Sequence, residues 1–263
     1  MCRHLAYLGP PVSLAQLVTA PAHALYEQSW APRLQKHGVV NADGFGIGWY
    51  PTGSAGEAED GEEPARYRRN VPIWTDPNLP ELAHAIRSHA VVAAVRSATA
   101  GTSNEESAAA PFRDGRYLFS HNGAIPDWTN LPTDLPTDLT PAELLSLQAR
   151  SDSALLWLLI YRELRRGVAP EDALATVVRH VADARPTARL NLLLTDGETI
   201  FATRFGDTLW YRNDPASVLV ASEPDDEFAG EWREVPDRTL LLANQAGIVR
   251  TTTLHVSYAA AEK

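Results

Sequence analysis

Along the chain the spacing of apolar positions changes character as it proceeds. From position 2 the segment CRHLAYLG reads as a strand that stops at Gly9-Pro10, a turn signal. PVSLAQLVTA reads as a short helix. NADGFGIGWY, 41–50, leads through glycines into a strand, and those glycines leave room for a close backbone approach. NLPELAHAIRSH, 78–89, puts Leu79, Leu82, Ala83 and Ile86 at helical spacing, and VVAAVRSAT then reads as a buried strand delivering Arg96 to its end. RYLFSHNG, 116–123, is expected to be another strand, closing in a polar turn.

The middle of the chain turns helical. LPTDLPTDLT, 131–140, repeats LPTD once, too few copies for a repeat architecture, and its prolines predict a loop. SDSALLWLLIYRELRRG opens on a Ser/Asp cap, stays apolar nearly all round and ends in basic residues and Gly167, the pattern of a buried helix. APEDALATVVRHVADA has Pro170 near its first turn and Ala173, Leu174, Val177, Val178 and Val181 along one face. From 188 the period shortens, predicting four strands joined by turns at Asp196-Gly197, Gly206-Asp207 and Asn213-Asp214-Pro215, with a last pair in RTLLLANQAGIVRTTTL. No linker interrupts the sequence. The expectation is a single domain over 1–263 of α+β class, with mainly antiparallel strands in two sheets covered by helices.

Composition narrows the function classes. The content is 44% hydrophobic and 21% charged, which is ordinary for a globular protein. No apolar run approaches the ~18 residues of a membrane span, and no secretory signal opens the chain. The formal charge of −10 argues against a nucleic-acid partner. The basic clusters at 66–70 and 162–167 lie near acidic stretches, and the acidic segment 54–65 reads as a solvated loop. One cysteine excludes an internal disulfide and fits a reducing compartment, so the cytoplasm is expected.

That cysteine stands at position 2. Once Met1 is trimmed, Cys2 carries both a thiol and a free α-amine. Further polar islands sit where predicted strands end or a helix begins: Arg96-Ser97-Ala98-Thr99, His121-Asn122-Gly123 and Ser151-Asp152-Ser153. Each has a plain structural reading: an ion-pair arginine, an Asn-Gly turn, a histidine with a satisfied ring, a helix cap, a filler thiol. Asp43-Gly44 with Gly46 and Gly48 reads as a tight turn, since it lacks the context of a phosphate loop. Together the islands form a complete chemical set. A thiol attacking an amide needs a base, and an α-amine with an ordinary pKa near ~8 can serve. An Asn side-chain amide beside a Gly N–H can hold an oxyanion. An Arg can clamp a carboxylate, and an Asp can pair an ammonium.

In their order, Met-Cys-Arg, NADGFGIGWY, the Arg-x-x-Thr of RSAT, HNG and SDS resemble the class II glutamine amidotransferases. The resemblance implies an N-terminal-nucleophile hydrolase with a four-layer αββα sandwich. CRHLAYLG with QSWAPRLQKHGVVNADGFGIGWY is similar to a narrower branch that hydrolyses the γ-glutamyl amide of hercynylcysteine S-oxide in ergothioneine biosynthesis. Carried onto this chain, the resemblance makes Cys2 the nucleophile, its α-amine the general base, and Asn122 and Gly123 the oxyanion hole. Arg96 would grip the glutamyl α-carboxylate with Thr99 assisting, Asp152 would pair the α-ammonium, and His121 joins the substrate-binding set. Ala100 stands where many relatives have His, and Val40-Asn41-Ala42 replaces the Tyr-Arg-Gly of sugar-amidating members, which favours a divergent branch.

The expected partner is therefore a small-molecule γ-glutamyl substrate, with no metal or organic cofactor and no nucleic acid or membrane; a homo-oligomer stays open. The leaving portion would carry a trimethylammonium group, an imidazole and a sulfoxide. Aromatic faces suit the first, and Trp30, Trp49 and Trp128 lie near the motifs, although core packing is a tryptophan's commoner role. The alternatives are a glutaminase subunit feeding a separate synthase, another cysteine amidase of the same nucleophile type, and a non-enzymatic binding protein.

Overall fold

The computed structural model describes residues 2–51, 63–99, 101–225 and 232–256. Met1, Ala100 and most of the acidic 54–65 stretch lie outside the described residues. In chain order the first half holds β1 (Arg3–Ser13), α1 (Leu14–Val18), α2 (Leu25–Gln28), β2 (Phe45–Trp49), β3 (Ala65–Arg69), α3 (Leu79–Ala85), β4 (Arg87–Val95), β5 (Phe112–Asp114) and β6 (Tyr117–Ala124). The second half holds α4 (Leu131–Asp134), α5 (Pro141–Leu145), α6 (Asp152–Arg165), α7 (Pro170–Ala184), β7 (Arg189–Thr195), β8 (Ile200–Arg204), β9 (Trp210–Asp214), β10 (Ser217–Ala221), β11 (Arg233–Glu234), β12 (Thr239–Asn244) and β13 (Gly247–Thr253).

The strands form two antiparallel sheets, ordered β11-β9-β10-β1-β4-β2-β3 and β13-β12-β8-β7-β6-β5. Period-2 alternation decides which face each side chain takes. In β1, Leu5 and Tyr7 pack with α1 and α3 residues such as Leu14, Leu17, Leu79 and Ala83, whereas Ala6 and Leu8 face Leu118, Leu193 and Leu241 of the second sheet. In β4, Val91, Ala93 and Val95 take the helix side and Ala90 and Val92 the inner side. The outer face of the second sheet is covered by α6 and α7 through Leu155, Leu159, Leu174, Val177 and Val181. The result is an αββα sandwich whose central strands are buried on both faces. Each fully buried Leu or Val contributes roughly 1.5–3 kcal/mol.

Several boundaries differ from the sequence expectation. β1 does not stop at Gly9-Pro10 but runs on to Ser13, because the β1–β4 register shifts between Leu8 and Val12 and the prolines fall in that irregularity, where no ladder N–H is required. The helix expected over 78–89 ends at Ala85, and Arg87–Ala90 join β4 instead. The first LPTD copy forms the short helix α4 rather than loop. Asn122-Gly123 is not a turn: both lie inside β6, paired with Asn191 and Leu190 of β7. Asp43-Gly44 is not a tight turn either, since Asp43 N donates to Arg96 O and Arg96 N to Gly44 O, extending the β2–β4 pairing. Close approach at the glycines holds as expected: a Cβ on Gly46 would lie 2.3 Å from Ala110 O.

Candidate active site

The topology gathers the polar islands at one end of the sandwich. Arg3 pairs with Val95 and Leu5 with Ala221, so Cys2, the residues after β4 and Ser222 after β10 share that end of the first sheet. β6 brings Asn122 and Gly123 from the second sheet, and Asp152 opens α6 behind Ser151, whose Oγ accepts Ala154 N at 3.1 Å.

Cys2 is partly exposed. Its nitrogen donates to Asn122 Oδ1 at 3.2 Å, and its Sγ lies 3.8 Å from Ser97 O. Asn122 is fully buried and its Nδ2 donates to Ser222 Oγ at 3.2 Å. An amide nitrogen carries two N–H groups, so one remains for a ligand oxygen. Ser222 is held in place by exchanging bonds with β1: His4 N donates to Ser222 Oγ at 2.9 Å, and Ser222 N donates to His4 O at 2.9 Å. Gly123 is glycine for steric reasons, because a Cβ there would sit 1.9 Å from Arg189 O.

His121, expected in the substrate-binding set, spends both ring nitrogens on the protein. Nε2 lies 2.9 Å from Arg189 O, which can only accept, so Nε2 carries the proton and Nδ1 accepts from Ser153 Oγ at 3.0 Å. Burial lowers its pKa, opposed by the charges of Asp152 and Asp207 and the bond to Arg189 O, and the net shift favours the neutral ring. His4, fully buried with Nδ1 3.1 Å from Ser120 Oγ, is held well below its usual value by burial, with Arg3 and His121 adding to the effect.

Arg96 is buried, with Nη2 donating to Ser103 O at 2.7 Å and Thr102 Oγ1 at 3.0 Å, and Nη1 to Asp43 O at 3.4 Å. These bonds aim the guanidinium while leaving other N–H groups for a carboxylate. Asp152 accepts from Thr99 Oγ1 at 3.1 Å and from Ile125 N at 3.2 Å, both through Oδ2. Its place in the first turn of α6 favours a negative charge. The Arg96-to-Thr99 stretch and the helix cap are thus directly bonded, as one unit.

Two residues with no expected site role serve here: Asp43 holds this unit together, and Ser222 ties the buried Asn122 to β1. Asp43 Oδ2 accepts Ala98 N at 2.8 Å, pinning the loop that carries Ser97 and Thr99. Ser222 carried no signal, being an ordinary serine past a strand. The three tryptophans near the motifs part company: Trp30 meets Tyr26 and Trp74 edge-on at 5.0 and 5.6 Å, Trp49 lies in β2, and Trp128 is buried in the outer core of the second sheet. A cleft of about 660 Å³ lined by Glu143, Trp157, Tyr161, Arg162 and Arg165 contains none of the site residues, so chemistry rather than volume locates the site. Among the described residues no group of three or more His, Cys, Asp or Glu could hold a metal ion, and no helix is long and apolar enough to cross a membrane.

Comparison with known proteins follows the same lines. Residues 22–226 match the family model of class-II glutamine amidotransferases. Over 95% of this chain and 99% of the relative, the sequence is 43% identical to the γ-glutamyl-hercynylcysteine sulfoxide hydrolase of Mycolicibacterium smegmatis. Over 95% of this chain and 96% of the relative, it is 41% identical to the protein of that name from Mycobacterium tuberculosis. A solved glutamine aminotransferase class-II domain protein from Silicibacter pomeroyi superposes with a TM-score of 0.65 at 24% identity, over 97% of this chain and all of that one. The glutamine phosphoribosylpyrophosphate amidotransferase of B. subtilis superposes with a TM-score of 0.67 at 17% identity, over 98% of this chain and 50% of that one, which speaks to the fold.

Proposed function

The chain belongs to the class II glutamine amidotransferase family, and from that premise we propose that it hydrolyses the γ-glutamyl amide of hercynylcysteine sulfoxide, releasing glutamate. The observation that carries this reading is the 43% identity, over 95% of this chain and 99% of the relative, to an enzyme of that name.

The mechanism starts with the loss of Met1, which makes the Cys2 nitrogen a free α-amine resting on Asn122 Oδ1. The amine accepts the thiol proton, and the sulfur attacks the γ-carbonyl carbon. The carbonyl oxygen becomes an oxyanion, met by the spare N–H of Asn122 Nδ2 and by Gly123 N–H, donors fixed before the reaction begins. Collapse of the tetrahedral species breaks the C–N bond while the protonated amine hands its proton to the departing nitrogen. A γ-glutamyl thioester remains on Cys2. Water, deprotonated by the same amine, attacks the thioester and releases glutamate and the thiol.

The glutamyl head is held at the other side of the site. Arg96 pairs the α-carboxylate and Asp152 the α-ammonium, with Thr99 Oγ1 orienting the Asp152 carboxylate. His121 orients Ser153 beside that carboxylate rather than touching substrate. The cytoplasm, a reducing compartment, keeps the lone thiol available for this chemistry.

The test offers γ-glutamyl-hercynylcysteine sulfoxide and glutamine side by side and measures glutamate from each. Preference for the sulfoxide supports the proposal. The family description favours one competitor, a glutaminase subunit serving a separate synthase. Glutamine turnover that exceeds that of the sulfoxide, and rises when a synthase partner is added, would replace the proposal with it.

A further inference from the structure

The nucleophile rests on a buried cluster of charges that the proposed mechanism does not use. Arg3 has no exposed surface, and its Nε donates to the carbonyl oxygen of Cys2 at 3.0 Å. Burial lowers the Arg3 pKa, while Glu223, Asp207 and Cys2 act in the opposite direction through their charges. Glu223 is itself buried and accepts from His23 Nε2 at 3.3 Å, Arg33 N at 3.1 Å and Leu34 N at 2.6 Å. Burial raises the Glu223 carboxyl, but the His23 and Leu34 bonds and the Arg3 charge outweigh it, and the net shift is downward. Asp207, also buried, accepts from Arg189 Nε at 3.1 Å, and Arg189 O is the atom that His121 bonds and that a Cβ at position 123 would strike.

An arginine buried against the nucleophile's own carbonyl is expensive unless opposite charge accompanies it. Here Glu223 supplies it: Leu5 stands opposite Ala221 and Ser222 N donates to His4 O, so the same antiparallel register sets the buried Glu223 opposite Arg3. We propose that Arg3 is a positioning residue for Cys2, with Glu223 as its counter-charge, so that this pair fixes the Cys2 backbone and sets the field at its sulfur. The inference rests on Cys2 being the nucleophile. Glu223 has a second duty, since its bonds to Arg33 and Leu34 anchor the segment between α2 and β2 to the same charge cluster.

The readout is the alkylation rate of Cys2 by iodoacetamide at pH 7, which needs no substrate and is specific because the chain has one cysteine. The thiolate is the reacting form, so the rate follows the local field. Arg3→Gln removes the nearby cation and should slow alkylation roughly tenfold, the size expected for losing one close opposite charge. Glu223→Gln keeps the shape, leaves Arg3 less compensated and should speed alkylation severalfold. The double variant should return toward the wild-type rate, while glutamate release falls in both single variants because the backbone is misplaced. Thermal melts check that each variant is folded. Single variants that shift alkylation in the same direction, or a folded Arg3→Gln that alkylates at the wild-type rate, would overturn the proposal. If alkylation moves in opposite directions as expected but no γ-glutamyl compound is hydrolysed by the wild type, the charge pair stands and the substrate reading fails.

Discussion

The space between the two sheets has two unlike ends built from the same strands. At one end Leu8, Val92, Leu118, Leu193 and Val218 meet as fully buried apolar side chains. At the other, His4, Ser120, Asn122, Asn191 and Ser222 are equally buried and polar. The apolar end is specified by volume, and a wrong shape costs cavity or strain. The polar end is specified by partners, because a buried donor or acceptor left unmade costs about 1–3 kcal/mol. Asn191 illustrates the rule, with Nδ2 donating to Thr208 O at 3.0 Å and Oδ1 accepting Phe205 N at 2.9 Å. His4 Nε2 departs from it, with no hydrogen-bond partner among the described residues. The difference teaches that the sandwich's stability and its chemistry are laid at opposite ends of the same strands.

The comparison breaks most visibly by truncating one residue at each end. Asn122→Ala should lower kcat by about 10²–10³ through the lost oxyanion donor, measured by glutamate release from γ-glutamyl-hercynylcysteine sulfoxide. Leu193→Ala should cost about 2–5 kcal/mol of stability in denaturant melts, with kcat of the folded enzyme kept. An Asn122 variant with unaltered kcat, or a Leu193 variant that is stable but inactive, would erase the distinction.

Substituting the glutamyl clamp comes next. Arg96→Lys loses the planar fork and should raise KM by roughly 10–100-fold, the equivalent of about 1.5–3 kcal/mol for a charged hydrogen-bonded contact, with a smaller change in kcat. An unaltered KM for the γ-glutamyl substrate would remove Arg96 from the clamp.

The polar end should also carry the acid sensitivity. His4 and His121 both have folded-state values depressed by burial. The unfolded chain therefore binds protons that the native state refuses once pH falls below about 6.5, and stability present above that value is lost on acidification. Each histidine contributes a slope of up to about 1.4 kcal/mol per pH unit. Denaturant melts from pH 7.5 to 5.5 should show this decline, and His4→Asn should flatten it. An equal slope in wild type and variant would place the titration elsewhere.

The smallest effect belongs at the apolar end, where the single Tyr50 O–H proton is shared between Arg116 O at 2.6 Å and Thr195 O at 3.0 Å. Tyr50→Phe removes that shared bond and should cost about 0.5–1.5 kcal/mol, with activity unaffected. Loss of activity in that variant would mean that the two ends are coupled.

Much of this division was legible in the sequence. Alternation and length placed α6, α7 and the late strands, and the polar islands fell where apolar runs stopped. Family likeness implied the roles proposed for those islands. Local signals misled where long-range pairing prevailed. Gly9-Pro10 and Asn122-Gly123 both read as turns, yet one sits in a register shift of β1 and the other inside β6, because the partner strands supply bonds that no local rule anticipates. Ser222, Asp43 and Glu223 were invisible as site residues, since their importance lies in which distant N–H they accept: His4 N, Ala98 N and Leu34 N. Short strands such as β5 and β11 have too few residues to show a period.

The most direct test of the central claim pairs N-terminal sequencing with glutamate release for the wild type and Cys2→Ala, using γ-glutamyl-hercynylcysteine sulfoxide. The account predicts an active wild type that begins at Cys2 and a folded, inert Cys2→Ala. Turnover that survives in Cys2→Ala, or a fully active preparation that still begins at Met1, would contradict it.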